Sequence, residues 1–306
     1  MKILYLSENS PKQLPCVATV GIFDGVHAGH RFLINELKNI AVERKLESVV
    51  ISFDKNPRSI LQPDFQPLLL TTNDEKLIQF ESTGINSCIV MDFTTDMSNL
   101  SAFDFIKNIL SEKCNVKTLL VGHDHRFGHN RTDGFLDYQQ YGAQLGIEVI
   151  QASRFITDFD KHISSSEIRL ALHRGDVELA NRLLTYTFSI TGKVINGFKI
   201  GRKIGFPTAN LALEHPQKII PCGGVYAVHV AWNKQVFKGM LNIGVRPTLN
   251  GSKESIEVHI FDFDKDIYNQ NIEILFIRRI RNEQKFNDVN ELIAQLSKDK
   301  QNVIDN

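Results

Sequence analysis

CVATVGIFDGVHAGHRFLINELKNIAVERKLESVVISF, residues 16–53, decides the fold of the first half of the chain. Residues 16–23 form an apolar, β-branched run that reads as a strand. Glycines 21, 25 and 29 break it, and residues 30–46 then carry apolar positions at helical spacing. Residues 48–53 return to a short apolar run. Strand, loop, helix, strand is the unit in which two parallel strands are joined by a crossover helix. The same alternation continues outward from it. Helices are predicted over 73–84, closed by Gly84 as a C-terminal cap, over 101–114 and over 134–146. Strands are predicted over 87–93, 116–122 and 147–152. The first half is therefore expected to be an α/β doubly wound, Rossmann-like domain on a parallel sheet. Ligands of such sheets bind beyond the C-terminal ends of the strands, where residues 21–30 and 122–129 both fall.

The period changes near residue 185. Residues 165–184 read as helical with a break at Gly175, and the chain then turns into short strands at 188–195, 225–232, 235–244, 255–263 and 271–280. A helix follows over 289–299. Short strands with glycine-containing turns predict a small antiparallel β-barrel with a C-terminal helix. The expected domains are 1–184 and 185–306.

Bulk composition bounds the function. The 306 residues are 42% hydrophobic, enough for two cores, and Lys+Arg and Asp+Glu number 35 each. That balance lacks the basic footprint of a nucleic-acid-binding protein. Cys16, Cys88, Cys114 and Cys222 have neither paired nor framework spacing, which suits a reducing cytoplasm. The N-terminus turns polar after six residues, and no apolar run approaches the roughly 18 residues of a membrane helix. The expectation is a cytoplasmic protein engaging neither membrane nor nucleic acid, present as a monomer or weak homo-oligomer.

The loop GIFDGVHAGH, residues 21–30, carries the first chemistry. A helix beginning near Gly29 and His30 aims its free N–H groups and positive dipole end at the loop, a ready phosphate site. His27 and His30 add donors that gain charge near neutral pH. Together they suit attack at the α-phosphorus of a nucleoside triphosphate, where donors held in advance stabilise the developing charge. Two other readings stay open on residue types alone. With His123, His125 and His129, the pair offers enough imidazoles for zinc or iron in a metal-dependent hydrolase. Alternatively, these are surface histidines near a turn.

The full string resembles the HxGH signature of the nucleotidylyltransferase superfamily, in the GxFDGxHxGH form of bacterial bifunctional riboflavin kinase/FAD synthetases. The likeness continues through LLTTNDEKLIQFESTGI, LSAFDFIKNILSEKCNVKTLLVGHDHRFG and ISSSEIRLALHRGDVELANRLL. The resemblance implies ATP contacts at Gly21, Phe23, Asp24, Gly25, His27 and His30, and at Asp124 and Arg126. It further implies a second phosphate clamp made by Ser164, Ser165, Ser166 and Arg169. His27, His30 and Arg169 would stabilise the transferring phosphate. Two places depart from the family pattern. Lys55 and Asn56 stand where a proline and a histidine are usual, and His125 stands where a phenylalanine is usual.

GRKIGFPTANL, residues 201–211, carries a second chemistry. Gly201 and Gly205 allow a loop to close over phosphates, and Pro207 sets the backbone ahead of Thr208. Thr208 and Asn210 lie two apart, so on an extended segment they share a face and offer hard oxygen ligands to Mg²⁺. A plain barrel hairpin would use the same residues as turn formers. No GxxxxGK[ST] stretch is present, which excludes a standard P-loop kinase.

The segment resembles the riboflavin kinase motif GRxxGFPTAN, and the likeness runs to about residue 286. It implies that Gly201, Arg202, Gly205, Thr208 and Asn210 bind ATP, with Thr208 and Asn210 on Mg²⁺. Glu257 would then be the general base for the ribityl hydroxyl. Read from its strand alone, Glu257 is a polar residue between Ile256 and Val258 on a solvent face. The expected protein is thus bifunctional: ATP and Mg²⁺ convert riboflavin to FMN, and a second ATP converts FMN to FAD and pyrophosphate. The departures leave a riboflavin kinase with an impaired adenylyltransferase as the alternative, in its extreme form a regulatory flavin binder without catalysis.

Overall fold

The structure, a computed structural model, describes residues 1–7, 10–62, 64, 68–123, 125–129, 132–155, 163–197, 200–248 and 251–305. It divides into two compact units, Met1–Ser164 and Ser165–Asn306.

In the first unit the strands are β1 (Lys2–Leu6), β2 (Cys16–Val20), β3 (Glu47–Phe53), β4 (Ser87–Met91), β5 (Val116–Val121) and β6 (Glu148–Gln151). They form one sheet in the order β1-β4-β3-β2-β5-β6, and every pairing is parallel. The helices are α1 (Ala28–Arg44), α2 (Pro57–Leu61), α3 (Asn73–Thr83), α4 (Thr95–Ser98), α5 (Ala102–Asp104) and α6 (Phe135–Leu145). A π-helical stretch, Phe105–Lys113, continues α5. β2 is buried at all five positions, because both faces of the sheet are covered. Cys16, Ala18 and Val20 pack with Phe105, Ile109 and Tyr138 on one face. Val17 packs on the other with Ile34, Leu37 and Phe80 from α1 and α3.

Local signals account for the helix ends. Thr72 and Glu75 close a capping box at the start of α3, and Gly84 ends it at φ +75°. The chain leaves β2 through α1 to β3 on one side, while β5 lies against the other side of β2. The sheet therefore reverses direction between β2 and β5, and the loops following these two strands flank the crevice where such sheets bind ligands. β1 was not foreseen. It is a five-residue edge strand with Lys2, Ile3 and Tyr5 exposed, so it carries no apolar alternation to read.

The second unit holds α7 (Ser165–His173), α8 (Val177–Leu184), β7 (Ser189–Ile195), α9 (Ile200–Lys203), β8 (Ala209–Leu213), β9 (Gly224–Trp232), β10 (Gln235–Thr248), β11 (Gly251–Ile260), β12 (Asn271–Arg281) and α10 (Val289–Asp305). The strands close into an antiparallel barrel in the order β10-β11-β8-β7-β12-β9, with β9 also paired to β10. α7 and α8 are tied to this barrel. The Asn181 amide donates to the Phe276 carbonyl at 2.8 Å and accepts from Phe188 N–H at 2.7 Å. Arg279 donates to the Arg174 carbonyl at 3.1 Å, and Cys222 N–H to the Leu172 carbonyl at 3.0 Å. α10 is clamped to β12 by Arg281, which meets the buried Asp299 carboxylate at 2.8 Å and 2.9 Å.

Candidate functional sites

The loop after β2 is held by its own acid. Asp24, 7% exposed, accepts hydrogen bonds from Leu70 N–H at 3.1 Å and Thr71 N–H at 3.1 Å. Gly25 N–H donates to the Thr71 hydroxyl at 3.0 Å. The carboxylate thus staples residues 21–27 to the segment before α3. Gly21 N–H donates to the Ile51 carbonyl at 3.0 Å, fixing the other end of the loop. Between these anchors Phe23 and Val26 take left-handed φ of +53° and +36°. Such conformations cost about 1–3 kcal/mol each in side-chain-bearing residues and persist only where packing over-determines them. Here both side chains are buried, and Phe23 sets its ring edge-on against Phe80 and His30, with centroids 5.6 Å and 5.1 Å apart. Lys76 is buried in the same region, and its ammonium donates to the Phe53 carbonyl at 2.8 Å. Burial lowers its pKa, with Asp24 opposing that shift.

This strained turn delivers two imidazoles to the start of α1. His27 is the N-cap residue and is 5% exposed. Its ring stacks on His30 with centroids 3.6 Å apart and planes 18° from parallel. No side-chain hydrogen bond caps α1, and its first turn holds no acid, so its leading N–H groups suit an anion. His30 Nδ1 is buried with no hydrogen-bond partner among the described residues. Burial holds the pKa of His30 well below the usual imidazole value, and His27 and then His125 lower it further. The resting His30 ring is therefore uncharged and gains most from protonation when a phosphate arrives.

Other predicted residues fall as follows. Asp124 lies outside the described residues. Arg126 turns its guanidinium to the Thr132 carbonyl at 3.2 Å. Ser164 ends the first unit, whereas Ser165, Ser166 and Arg169 lie on the first turns of α7 in the second unit. Asn56 has a local role: its side chain accepts from Arg58 N–H at 3.0 Å and caps α2. Lys55 pairs with Asp92 at 3.6 Å and Asp54 at 3.9 Å. His129 meets the Ser98 carbonyl at 3.0 Å, and His123 meets Gln151 at 2.9 Å. Among the described residues, no group of three or more His, Cys, Asp or Glu side chains is placed to hold a metal.

The second site lies on the barrel wall between β8 and β11. Glu257 stands directly opposite Asn210 in the register of these strands. The Thr208 hydroxyl donates to Glu257 Oε2 at 3.2 Å. Hydroxyl, amide and carboxylate thus converge, a set of hard oxygen donors that suits Mg²⁺. Glu257 is half-buried rather than on an open solvent face. The loop before β8 is wound by hydrogen bonds from Ile204 and Phe206 N–H to the Gly201 carbonyl at 3.2 Å and 2.8 Å. Gly205 turns it at φ +86°. Arg202 is exposed on α9.

Two residues to which the sequence assigned no role complete this site. A Cβ on Gly197 would collide with the Asn210 amide, so glycine there lets the amide lie flat against the backbone. His259, two residues beyond Glu257 on β11, meets the Pro207 carbonyl through Nδ1 at 2.7 Å and packs edge-on to Phe206. It joins β11 to the loop bearing Thr208. Its pKa is lowered, first by burial. Neither partnership is visible in sequence, because α9 lies between Gly197 and Asn210, and β8, β9 and β10 lie between Pro207 and His259.

Comparison with known proteins bears on both units. Residues 9–167 match the family described as FAD synthetase, and residues 184–305 the family described as riboflavin kinase. The bifunctional riboflavin kinase/FMN adenylyltransferase of Buchnera aphidicola subsp. Schizaphis graminum is 40% identical, covering 92% of this chain and 90% of its own. The protein of that name from Bacillus subtilis is 39% identical, covering 96% and 93%. A crystal structure described as a macrolide-efflux protein from Streptococcus pneumoniae superposes with a TM-score of 0.90 at 30% identity, covering 98% of both chains. That description speaks of efflux in that protein alone. Among the described residues here, no helix is long and apolar enough to cross a membrane.

Proposed function

The chain belongs to the bifunctional riboflavin kinase/FMN adenylyltransferase family, and from that premise we propose which of its residues perform each step. The enzyme phosphorylates riboflavin to FMN and adenylylates FMN to FAD. By activity, the modules divide as adenylyltransferase over 1–184 and kinase over 185–306.

In the kinase, Thr208 and Asn210 hold Mg·ATP, the loop from Gly201 to Gly205 with Arg202 wraps its phosphates, and Glu257 accepts the ribityl hydroxyl proton. Bound Mg²⁺ supplies charge neutralisation at the phosphates. Phosphoryl transfer asks little more of a protein than positioning, charge stabilisation and a proton acceptor. The observation that supports this reading is the convergence of Thr208, Asn210 and Glu257 across β8 and β11.

In the adenylyltransferase, the FMN phosphate attacks the α-phosphorus of ATP and pyrophosphate leaves. The uncapped start of α1, with His27 and His30 stacked upon it, receives the phosphates and stabilises the charge that develops. Ser164, Ser165, Ser166 and Arg169 act as the second clamp, with Asp124 and Arg126 at the nucleotide. Asp24, Gly25 and Phe23 act by holding the loop in its strained shape, since the Asp24 carboxylate is already engaged by Leu70 and Thr71. We place the enzyme in the cytoplasm, working on riboflavin, FMN and ATP without nucleic acid or membrane, as a monomer or weak homo-oligomer.

The test separates the steps by their substrates. Supplied with FMN and ATP, a His30→Ala enzyme is expected to lose FAD and pyrophosphate production while phosphorylating riboflavin normally. FAD production at the wild-type rate would remove the imidazole pair from the reaction.

A further inference from the structure

The polar row on the barrel wall continues past Glu257. Asn242 on β10 stands directly opposite Glu257 in the strand register, as Asn210 does on β8. Their chain neighbours Leu241, Ile243, Val258 and Leu211 are buried in the barrel. Strand alternation therefore puts Asn210, Glu257 and Asn242 side by side on the outer face, with Gly244 next along β10. A Cβ added to Gly244 would collide with the Glu283 carboxylate and meet the Asn242 amide nitrogen at 3.0 Å. The bare glycine thus lets Glu283, two residues beyond β12, lie against β10 beside Asn242. Neither Asn242 nor Glu283 has a side-chain hydrogen bond or ion pair among the described residues.

We propose that Asn242 and Glu283 recognise the secondary hydroxyls of the ribityl chain, and so select a polyol-bearing flavin for phosphorylation. The proposal rests on the kinase reading of the second unit. Its physical basis is the direction of the row. The Thr208 and Asn210 end offers hard oxygens to a metal–nucleotide, whereas the far end carries a second carboxylate. An unpaired carboxylate repels polyphosphate and accepts charge-assisted hydrogen bonds from neutral hydroxyls. The Asn242 amide can donate and accept, matching the two roles of a hydroxyl.

The dimensions agree. Adjacent strands lie about 4.8 Å apart, and an extended five-carbon chain is roughly 5 Å long. A polyol whose terminal hydroxyl meets Glu257 therefore carries its remaining hydroxyls over Asn242 and toward Glu283. The nucleotide then occupies one end of the row and the neutral substrate the other.

Steady-state phosphorylation by the full-length enzyme tests this for wild type, Asn242→Ala and Glu283→Ala. Two substrates are compared: riboflavin, and an analogue with the same ring system and a terminal hydroxyl on a plain five-carbon alkyl chain. Wild type is expected to prefer riboflavin. Glu283→Ala should lower kcat/KM for riboflavin ~10–100-fold and Asn242→Ala ~3–10-fold, the worth of a charged and a neutral hydrogen bond. The alkyl analogue, which has no secondary hydroxyl for them to meet, should be phosphorylated alike by all three enzymes. Glu283 is exposed and Asn242 half-buried, and the analogue reports any general damage to the site. An equal loss on both substrates, or riboflavin turnover unchanged in both variants, would overturn the assignment. So would a wild type that handles the two substrates equally well. A wild type that forms no FMN from riboflavin would instead overturn the kinase reading on which it rests.

Discussion

The hydroxyl of Thr208 and the carboxylate of Glu257 are joined at 3.2 Å across β8 and β11, although 49 residues separate them. The bond sets the carboxylate beside Asn210, where the proposed proton acceptor and metal–nucleotide site would meet. Glu257→Gln keeps the shape and removes the basicity. It should slow riboflavin phosphorylation by roughly 10²–10⁴-fold, with FAD formation from supplied FMN unchanged. Thr208→Val should raise the KM for Mg·ATP in the same step. Equal loss of both activities in Glu257→Gln would mark a folding defect and refute the assignment.

Asp24 carries a different kind of consequence. Its buried carboxylate satisfies the amides of Leu70 and Thr71. Asp24→Ala strands those donors and should destabilise the first unit by at least about 1–3 kcal/mol, seen as a lower denaturant midpoint. FAD formation should fall with it. Asp24→Asn retains one acceptor oxygen and should lose less. A stable Asp24→Ala protein deficient only in ATP binding would instead make Asp24 a direct nucleotide ligand.

The extent to which the sequence foretold these features varies with the range of the interaction. β2 to β6 and the helices α1, α3, α5 and α6 announced themselves through apolar period, and Gly84 capped α3 where expected, whereas the short α2 and α4 did not. β1 did not, since an edge strand with exposed Ile3 and Tyr5 buries too little to leave a pattern. The histidine pair was legible as spacing, and its stacking followed from one turn of helix. The tie of Asp24 to the Leu70 and Thr71 amides was not legible, because these partners lie 46 and 47 residues away. Gly197 passed unnoticed, because only the folded barrel shows the Asn210 amide lying against it.

Acid should weaken the protein through its neutral histidines. The pKa values of His30 and His259 are lowered in the fold, chiefly by burial. Below the ordinary imidazole value of about 6.5 the unfolded chain binds protons that the folded chain refuses. Stability contributed by these sites is therefore complete above that value and is lost as pH falls through it. Urea midpoints should drop between about pH 7 and about pH 5, and His259→Asn should flatten the drop for the second unit. A flat wild-type profile over that window would contradict the burial of both rings.

The helices α7 and α8 make the boundary testable. Asn181, Leu172 and Arg174 on or beside them bond to the barrel. A fragment of residues 165–306 should therefore fold cooperatively and phosphorylate riboflavin. One of residues 185–306, lacking those ties and the buried Leu184, should show a lower thermal midpoint. Equal midpoints would mean that the two helices contribute nothing to the barrel.

The most direct measurement is chromatography of the flavins formed when purified enzyme meets riboflavin, ATP and Mg²⁺, with His27→Ala run beside wild type. Wild type should carry riboflavin through FMN to FAD, and His27→Ala should accumulate FMN. If wild type stops at FMN, the first unit is a silent adenylyltransferase; if riboflavin is untouched, the account of both sites is wrong.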